Sequence, residues 1–153
     1  EPLRRSFPVA PLALRMAALL KDAQYVAGAI LFFLAGLSSA RLLDTSLTPS
    51  PLLLGSAVCG SLVVILLFGL VFVWGAATTP GMKSAGLCLV SFDGRPAPRR
   101  QRLWRVLGGI VSAGSFFIGY LWALADEETL YWHDHISKTY LALSAALPAN
   151  EHR

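Results

Sequence analysis

The sequence predicts an all-α integral membrane protein, a single domain over residues 1–153 with three hydrophobic helices and a short strand-like cytoplasmic loop between the second and third. Three observations carry this. Hydrophobic residues make up 55% of the 153 before the 13 glycines are counted, where soluble domains reach about 45–50% with glycine included. Charged residues are only 14% against about 25%, and mean hydropathy is +0.58. So little polar surface excludes a soluble enzyme, and so much apolar surface excludes intrinsic disorder. Finally, the few charges leave three uncharged stretches: 18 residues between Asp22 and Arg41, 38 between Asp44 and Lys83, and 20 between Arg105 and Asp126. About 20 apolar residues cross a hydrocarbon core about 30 Å thick, so each stretch holds one crossing.

The first helix is predicted over residues 14–43, with Ala23–Ala40 as its apolar body. The loop Asp44–Pro51 follows, its two prolines suited to a turn. The second helix is predicted over residues 52–77. Residues 87–92 have strand character and end in Asp93-Gly94, a good turn, so a short interfacial strand or hairpin is expected. Beyond Pro96 and Pro98 the third helix covers residues 102–125, and residues 126–153 form the tail. Apolarity on all faces, without alternation, favours helices over barrel strands.

Cytoplasmic loops are enriched in Lys and Arg. Ten of the thirteen positive charges lie in the N-terminal segment (Arg4, Arg5, Arg15, Lys21) and the long loop (Lys83, Arg95, Arg99, Arg100, Arg102, Arg105). A multi-pass protein of the cell (inner) membrane with a cytoplasmic N-terminus is therefore expected. Arg99, Arg100, Arg102 and Arg105, beside Trp104, read as ligands for anionic lipid headgroups. They are too few and wrongly placed for nucleic acid. Leu3-Arg-Arg-Ser-Phe7 imitates an export signal, but Arg15, Lys21 and Asp22 separate it from the apolar run, so cleavage is not expected. Cys59 and Cys88 read as free thiols.

Candidate functional residues are the charges that a membrane helix should avoid. Arg15 and Asp22 are seven apart, or 20° short of two helical turns, so they share a face about 10.5 Å apart along the axis, with the small Ala18 between them. An aspartate in that position marks a functional site by default. The tail holds Trp132-His-Asp-His-Ile-Ser-Lys-Thr139. His133 and His135 would face one side only on an extended segment, and further ligands are lacking, so no metal site is expected. Ser137, His133 and Asp134 are too close in sequence to stack as a hydrolytic triad. With no complete nucleophile, metal or phosphate-cradling motif, neither an enzyme nor a cofactor is expected. Gly108, Ser112, Ser115 and Gly119 form a small-residue stripe suited to packing against another helix.

Three pieces in order resemble the RDD family of small bacterial and archaeal membrane proteins, named for one arginine and two aspartates: Arg15-Met-Ala-Ala18 with Asp22; Thr79-Pro-Gly-Met-Lys-Ser-Ala-Gly86-Leu-Cys-Leu-Val90 with Asp93-Gly94; and Trp132 to Thr139. The resemblance covers residues 11–142. It implies that Arg15, Asp22 and Asp134 are the naming residues, with His133, Lys83 and Thr139 as secondary candidates, and it suggests transport of an unidentified ligand. Met82 stands where the family usually has lysine, with Lys83 one position later. On this reading Asp22 is a protonatable or cation-pairing site with Arg15 as its fixed countercharge, in a homo-oligomer or with a partner membrane protein. The alternative is a non-catalytic accessory subunit of a larger membrane complex. Three crossings from a cytoplasmic N-terminus would leave Asp134 about 30 Å from Arg15, and the charge count favours that separated arrangement; the alternative, in which the three charges act as one site, requires the third stretch to dip in and return, broken at Gly108, Gly109, Gly114 or Gly119.

Overall fold

Two long helices carry the apolar runs. In the computed structural model, which describes residues 7–43, 51–75, 77–116 and 118–146, α1 spans Leu12–Leu43 and α2 spans Pro51–Trp74. Both are long and apolar enough to cross a membrane. At 1.5 Å per residue the 32 residues of α1 extend about 48 Å, well beyond a hydrocarbon core. Its first eleven residues, with Arg15 and Asp22, therefore stand outside the apolar body Ala23–Ala40. Proline starts α2 in the first turn, where a missing N–H breaks no intrahelical hydrogen bond. Phe33 of α1 lies over Gly60 of α2, its ring carbon 2.2 Å from where a Cβ would stand.

After α2 the chain forms a short helix, α3 (Pro80–Ser84), and strand β1 (Leu87–Ser91). Strand character at residues 87–92 was expected; its partner was not. β1 pairs antiparallel with β2 (Thr139–Leu143), from Leu87 opposite Leu143 to Ser91 opposite Thr139. The segment before α1 lies along the other edge of β2: Val9 bridges Ala142, and the Ala10 amide donates to the Leu141 carbonyl at 2.8 Å. Alternate residues fill two small cores, as the pleat requires. One face presents Leu87, Leu89 and Leu141 to Ala10, Ala18 and Ala97; the other presents Val90, Tyr140 and Ala142 to Leu130. The tail thus contains a strand that ties the N-terminal segment to the loop after α2. Asp93-Gly94 turns as expected, with Gly94 at φ +77°.

The three-helix expectation is met only in part. The stretch expected as one helix over residues 102–125 is α4 (Arg99–Gly114), then α5 (Ile118–Leu121) continuing into a 3-10 turn at Trp122–Leu124, inclined 108° to α4. Gly119 permits the fold-back: a Cβ there would stand 2.4 Å from the Ser112 hydroxyl. Segments hydrogen-bonded in one sheet occupy one side of any membrane that α1 and α2 cross. The N-terminal segment, β1 and β2 share that side, so the chain between β1 and β2 returns to the side it left, and the 108° turn supplies the reversal. A short helix, α6 (Trp132–Ser137), then lies across α4. The small-residue stripe packs within the chain: Gly108 meets His133, and Ser112 meets Gly119.

Two experiments follow. Single cysteines at the exposed positions Asp93 and Ala145, in a chain with Cys59 and Cys88 replaced, should react alike with an impermeant maleimide in intact cells. Labelling of one and protection of the other would contradict the shared sheet side. Gly81→Ala should lower the unfolding midpoint, since its Cβ would stand 2.1 Å from the Ala18 carbonyl oxygen; overpacking of this kind costs about 1–3 kcal/mol.

Candidate functional site: an arginine–aspartate cluster at the foot of the first span

Asp134 is the centre of the site. It lies in the first turn of α6, where its Oδ2 accepts the Tyr131 amide at 2.9 Å in a capping box. This local bond fixes the carboxylate's direction. Its Oδ1 accepts from Arg105 Nη1 of α4, and its Oδ2 lies 3.7 Å from Arg15 Nη1 of α1. The same Arg105 nitrogen donates to the Thr139 hydroxyl at 3.2 Å, which is 2.7 Å from the Ser137 hydroxyl. Lys138 ends α6 in the left-handed region, at φ +54°, and turns the chain into β2 so that Thr139 meets Arg105. Gly108 lets α4 approach: a Cβ there would meet the His133 Cβ at 3.0 Å. Arg15 is 2% exposed and Asp134 fully buried.

Burial alone would raise the Asp134 carboxyl, but chiefly Arg105 overcomes it and holds the group below the usual carboxylate range. His133, stacked on Tyr131 at 5.0 Å and facing Tyr120 at 5.1 Å, is pushed down to about 3 by burial and then by Arg105. It is therefore neutral at pH 7. Arg15 lies over the Tyr131 ring at 4.7 Å and donates from Nη2 to the Thr129 carbonyl at 2.6 Å.

Asp22 belongs to a different arrangement. Its Oδ2 accepts from the Thr79 hydroxyl at 2.5 Å and its Oδ1 from the Gly81 amide at 2.7 Å, so both oxygens grip the start of α3. Thr79 in turn accepts the Met82 amide at 3.1 Å. Buried Ala18, one turn earlier on α1, admits the backbone of Gly81.

The site residues expected from the sequence thus fall into separate groups. Arg15 and Asp134 are together, correcting the separated arrangement, because the tail strand returns to the sheet beside α1. Arg15 is accordingly the countercharge of Asp134, while Asp22 is held by α3. His133 and Thr139 join the Asp134 cluster; Lys83 is exposed, and Met82 packs on the Ala10–Leu141 core. Arg99 and Arg100 are exposed and Arg102 is half-buried. Arg105, expected as a headgroup ligand, is instead a largely buried ion-pair partner of Asp134. Its signal was available: it precedes Gly108 by three and Ser112 by seven, on the small-residue face of α4. Tyr131, whose amide and ring serve Asp134 and Arg15, had no comparable signal.

The fold and these contacts define a small helical membrane protein in which Arg15 meets Asp134 at the foot of the first span while Asp22 is held separately by α3. The chain belongs to the RDD family, whose family profile matches residues 9–138. Comparison with curated proteins and with solved structures gave no match.

Asp134→Ala should destabilise the protein by about 3–5 kcal/mol, since removing one partner of a buried ion pair strands the other; thermal unfolding in detergent measures it. A histidine with a depressed folded pKa binds its proton more readily when unfolded. Its contribution is fully present above the unfolded pKa of about 6.5 and is lost as pH falls toward about 3. Unfolding midpoints between pH 7 and 4.5 should fall with acidity and fall less steeply in His133→Phe. An equal slope in the variant would remove His133 as the cause.

Proposed function

We propose that the protein is transport-related and that Asp22 is its proton- or cation-linked group. One observation carries the reading: the Asp22 carboxylate accepts its hydrogen bonds from neutral donors, Thr79 and Gly81, at the point where α1 enters its apolar body. A carboxylate held by neutral donors can exchange them for a cation or take a proton without stranding a buried opposite charge. Asp134 cannot, because each of its oxygens faces an arginine. Asp22 therefore fits the exchanging role and Asp134 the fixed one. Two spanning helices do not enclose a path, so the reading requires an oligomer or a larger partner in the membrane of the cell.

The apolar faces of α1 and α2 favour a second reading, a non-catalytic subunit docked on another membrane assembly. Leu31, Phe32, Leu52 and Leu54 are all more than half exposed, and membrane helices associate through such faces when small residues allow close approach. Affinity purification in mild detergent separates the two: a stoichiometric foreign membrane protein supports the subunit, a pure homo-oligomer supports transport.

Asp22→Asn keeps an acceptor for the Gly81 amide, so the variant should insert and fold. It should abolish proton- or cation-coupled flux in proteoliposomes. Equal flux from wild type and variant would remove Asp22 from the mechanism.

A further inference from the structure

The chain between β1 and β2 ends on the side of the membrane where it begins, and it can return over the headgroups or through the bilayer. Its contact with α2 favours the bilayer. A Cβ on Gly69 of α2 would stand 3.4 Å from Val106 Cγ1 of α4, and Gly69 lies three residues inside the end of the apolar run Pro51–Phe72. Val106 is therefore level with the interior of that run. Beyond it no charged residue occurs until Asp126. Gly108, Ser112 and Gly119 are buried against the rest of the chain. The surface outside them is apolar and exposed: Leu107, Ile110 and Val111 on α4, Phe116 at the bend, Ile118 and Leu121 on α5. The hydroxyls of Ser112 and Ser115 donate to the carbonyls of Gly108 and Val111, both at 2.8 Å, as polar groups in hydrocarbon must find partners within the chain.

We infer that α4 and α5 form a wedge whose exposed surface is covered by the acyl chains of one leaflet, the leaflet on the side of the sheet. The length of α4 fits this depth. Val106–Gly114 is nine residues, about 13 Å of helix, just short of the middle of a hydrocarbon core about 30 Å thick. Phe116, 89% exposed, is then the deepest side chain of the wedge. Exposed Trp104 and Trp122 flank the apolar surface, one on α4 and one in the turn after α5, and tryptophan favours the headgroup level. Exposed Arg99 and Arg100 at the start of α4 supply positive charge where anionic headgroups lie. Charge and polarity thus select the same occupant, lipid. Among the described residues, the sheet-side leaflet surrounds α4 and α5 as well as α1 and α2, and the opposite leaflet only the two spans. The inference stands whether or not the protein carries flux.

The test uses the full chain in vesicles containing phosphatidylglycerol, with Cys59 and Cys88 replaced and a nitroxide on one new cysteine at a time: Leu103→Cys, Leu107→Cys, Val111→Cys, Phe116→Cys or Leu124→Cys. All five positions are exposed, so the depth profile stays readable if one variant fails to fold. Relaxation by oxygen, which concentrates in hydrocarbon, is compared with relaxation by a water-soluble nickel chelate. The oxygen-to-nickel ratio should rise severalfold from position 103 to position 116 and fall again by position 124. A ratio at position 116 as low as that of a label on exposed Asp93 would put the bend in water, and a flat profile would lay both helices along the headgroups; either result overturns the wedge. Labels at positions 111 and 116 that are immobilised and shielded from both reagents would mean that a second copy or another protein covers this face, which overturns lipid as the occupant. A cysteine replacing exposed Glu127 should react with an impermeant maleimide in intact cells as one at Asp93 does, and reaction from the opposite side would make the stretch a full crossing and overturn the inference.

Discussion

The burial of Asp134 between Arg105 and Arg15 is the constraint around which the extramembrane end of this protein is arranged. An isolated buried carboxylate would be protonated or expelled, and two isolated buried guanidinium groups would be worse. Together they hold three elements in one place: α1 contributes Arg15, α4 Arg105 and α6 Asp134. The Tyr131 amide and the Thr139 hydroxyl occupy further sites on the charged groups, so the start of α6 and the start of β2 are positioned by the same cluster. An ion pair of this kind adds little net stability over an apolar replacement of the same shape. Its contribution here is geometric: it specifies which helix meets which.

Close approach between backbones is the second condition, and small residues meet it at the contacts that matter. Gly81 touches the Ala18 carbonyl, which brings the amide of Gly81 within reach of Asp22; Gly108 touches His133, which brings α6 close enough for Asp134 to reach Arg105; Gly119 touches Ser112, which folds α5 back across α4. The first two of these contacts stand beside a polar cluster. A methyl group at either position would separate partners that depend on distances below 3 Å, so packing and electrostatics are not independent here.

Much of this was legible in the sequence, and the remainder was hidden for physical reasons. Uninterrupted apolar runs marked α1 and α2 because hydrocarbon excludes charge, and β1 was visible as a short apolar run closed by Asp93-Gly94. Its partner Thr139–Leu143 carries the same kind of signal, but strand pairing between residues 54 apart, such as Cys88 and Ala142, leaves no local mark. The third apolar run was as charge-free as a crossing helix. Composition records that a segment can enter a bilayer, and not that Ser112 and Gly119 let it turn back. Arg105 was misjudged for a related reason. Arg99, Arg100, Arg102 and Arg105 are alike as a run of charge; the fourth differs in sharing the small-residue face of α4 with Gly108 and Ser112, where α6 approaches. The charge count that placed the tail across the membrane from Arg15 rested on three crossings, and it lost its basis when the strand pairing returned the tail to the first side.

The two aspartates on the shared end of the fold differ in what holds them, and the difference divides their roles. Asp134 is bound by a formal positive charge and a local helix cap, and protonating it would leave Arg15 and Arg105 without their counter-ion. It is a fixed charge. Asp22 is bound by a hydroxyl and a peptide amide at the N-terminus of a helix of only five residues. Five residues separate that helix from the end of α2. Arg15 and Asp22 share a face of α1 but answer to different partners, one to the tail and the other to the loop after α2. The first span is thereby connected at one turn to a rigid cluster and, two turns later, to a clasp made of neutral hydrogen bonds, and only the second can open without exposing an unbalanced buried charge.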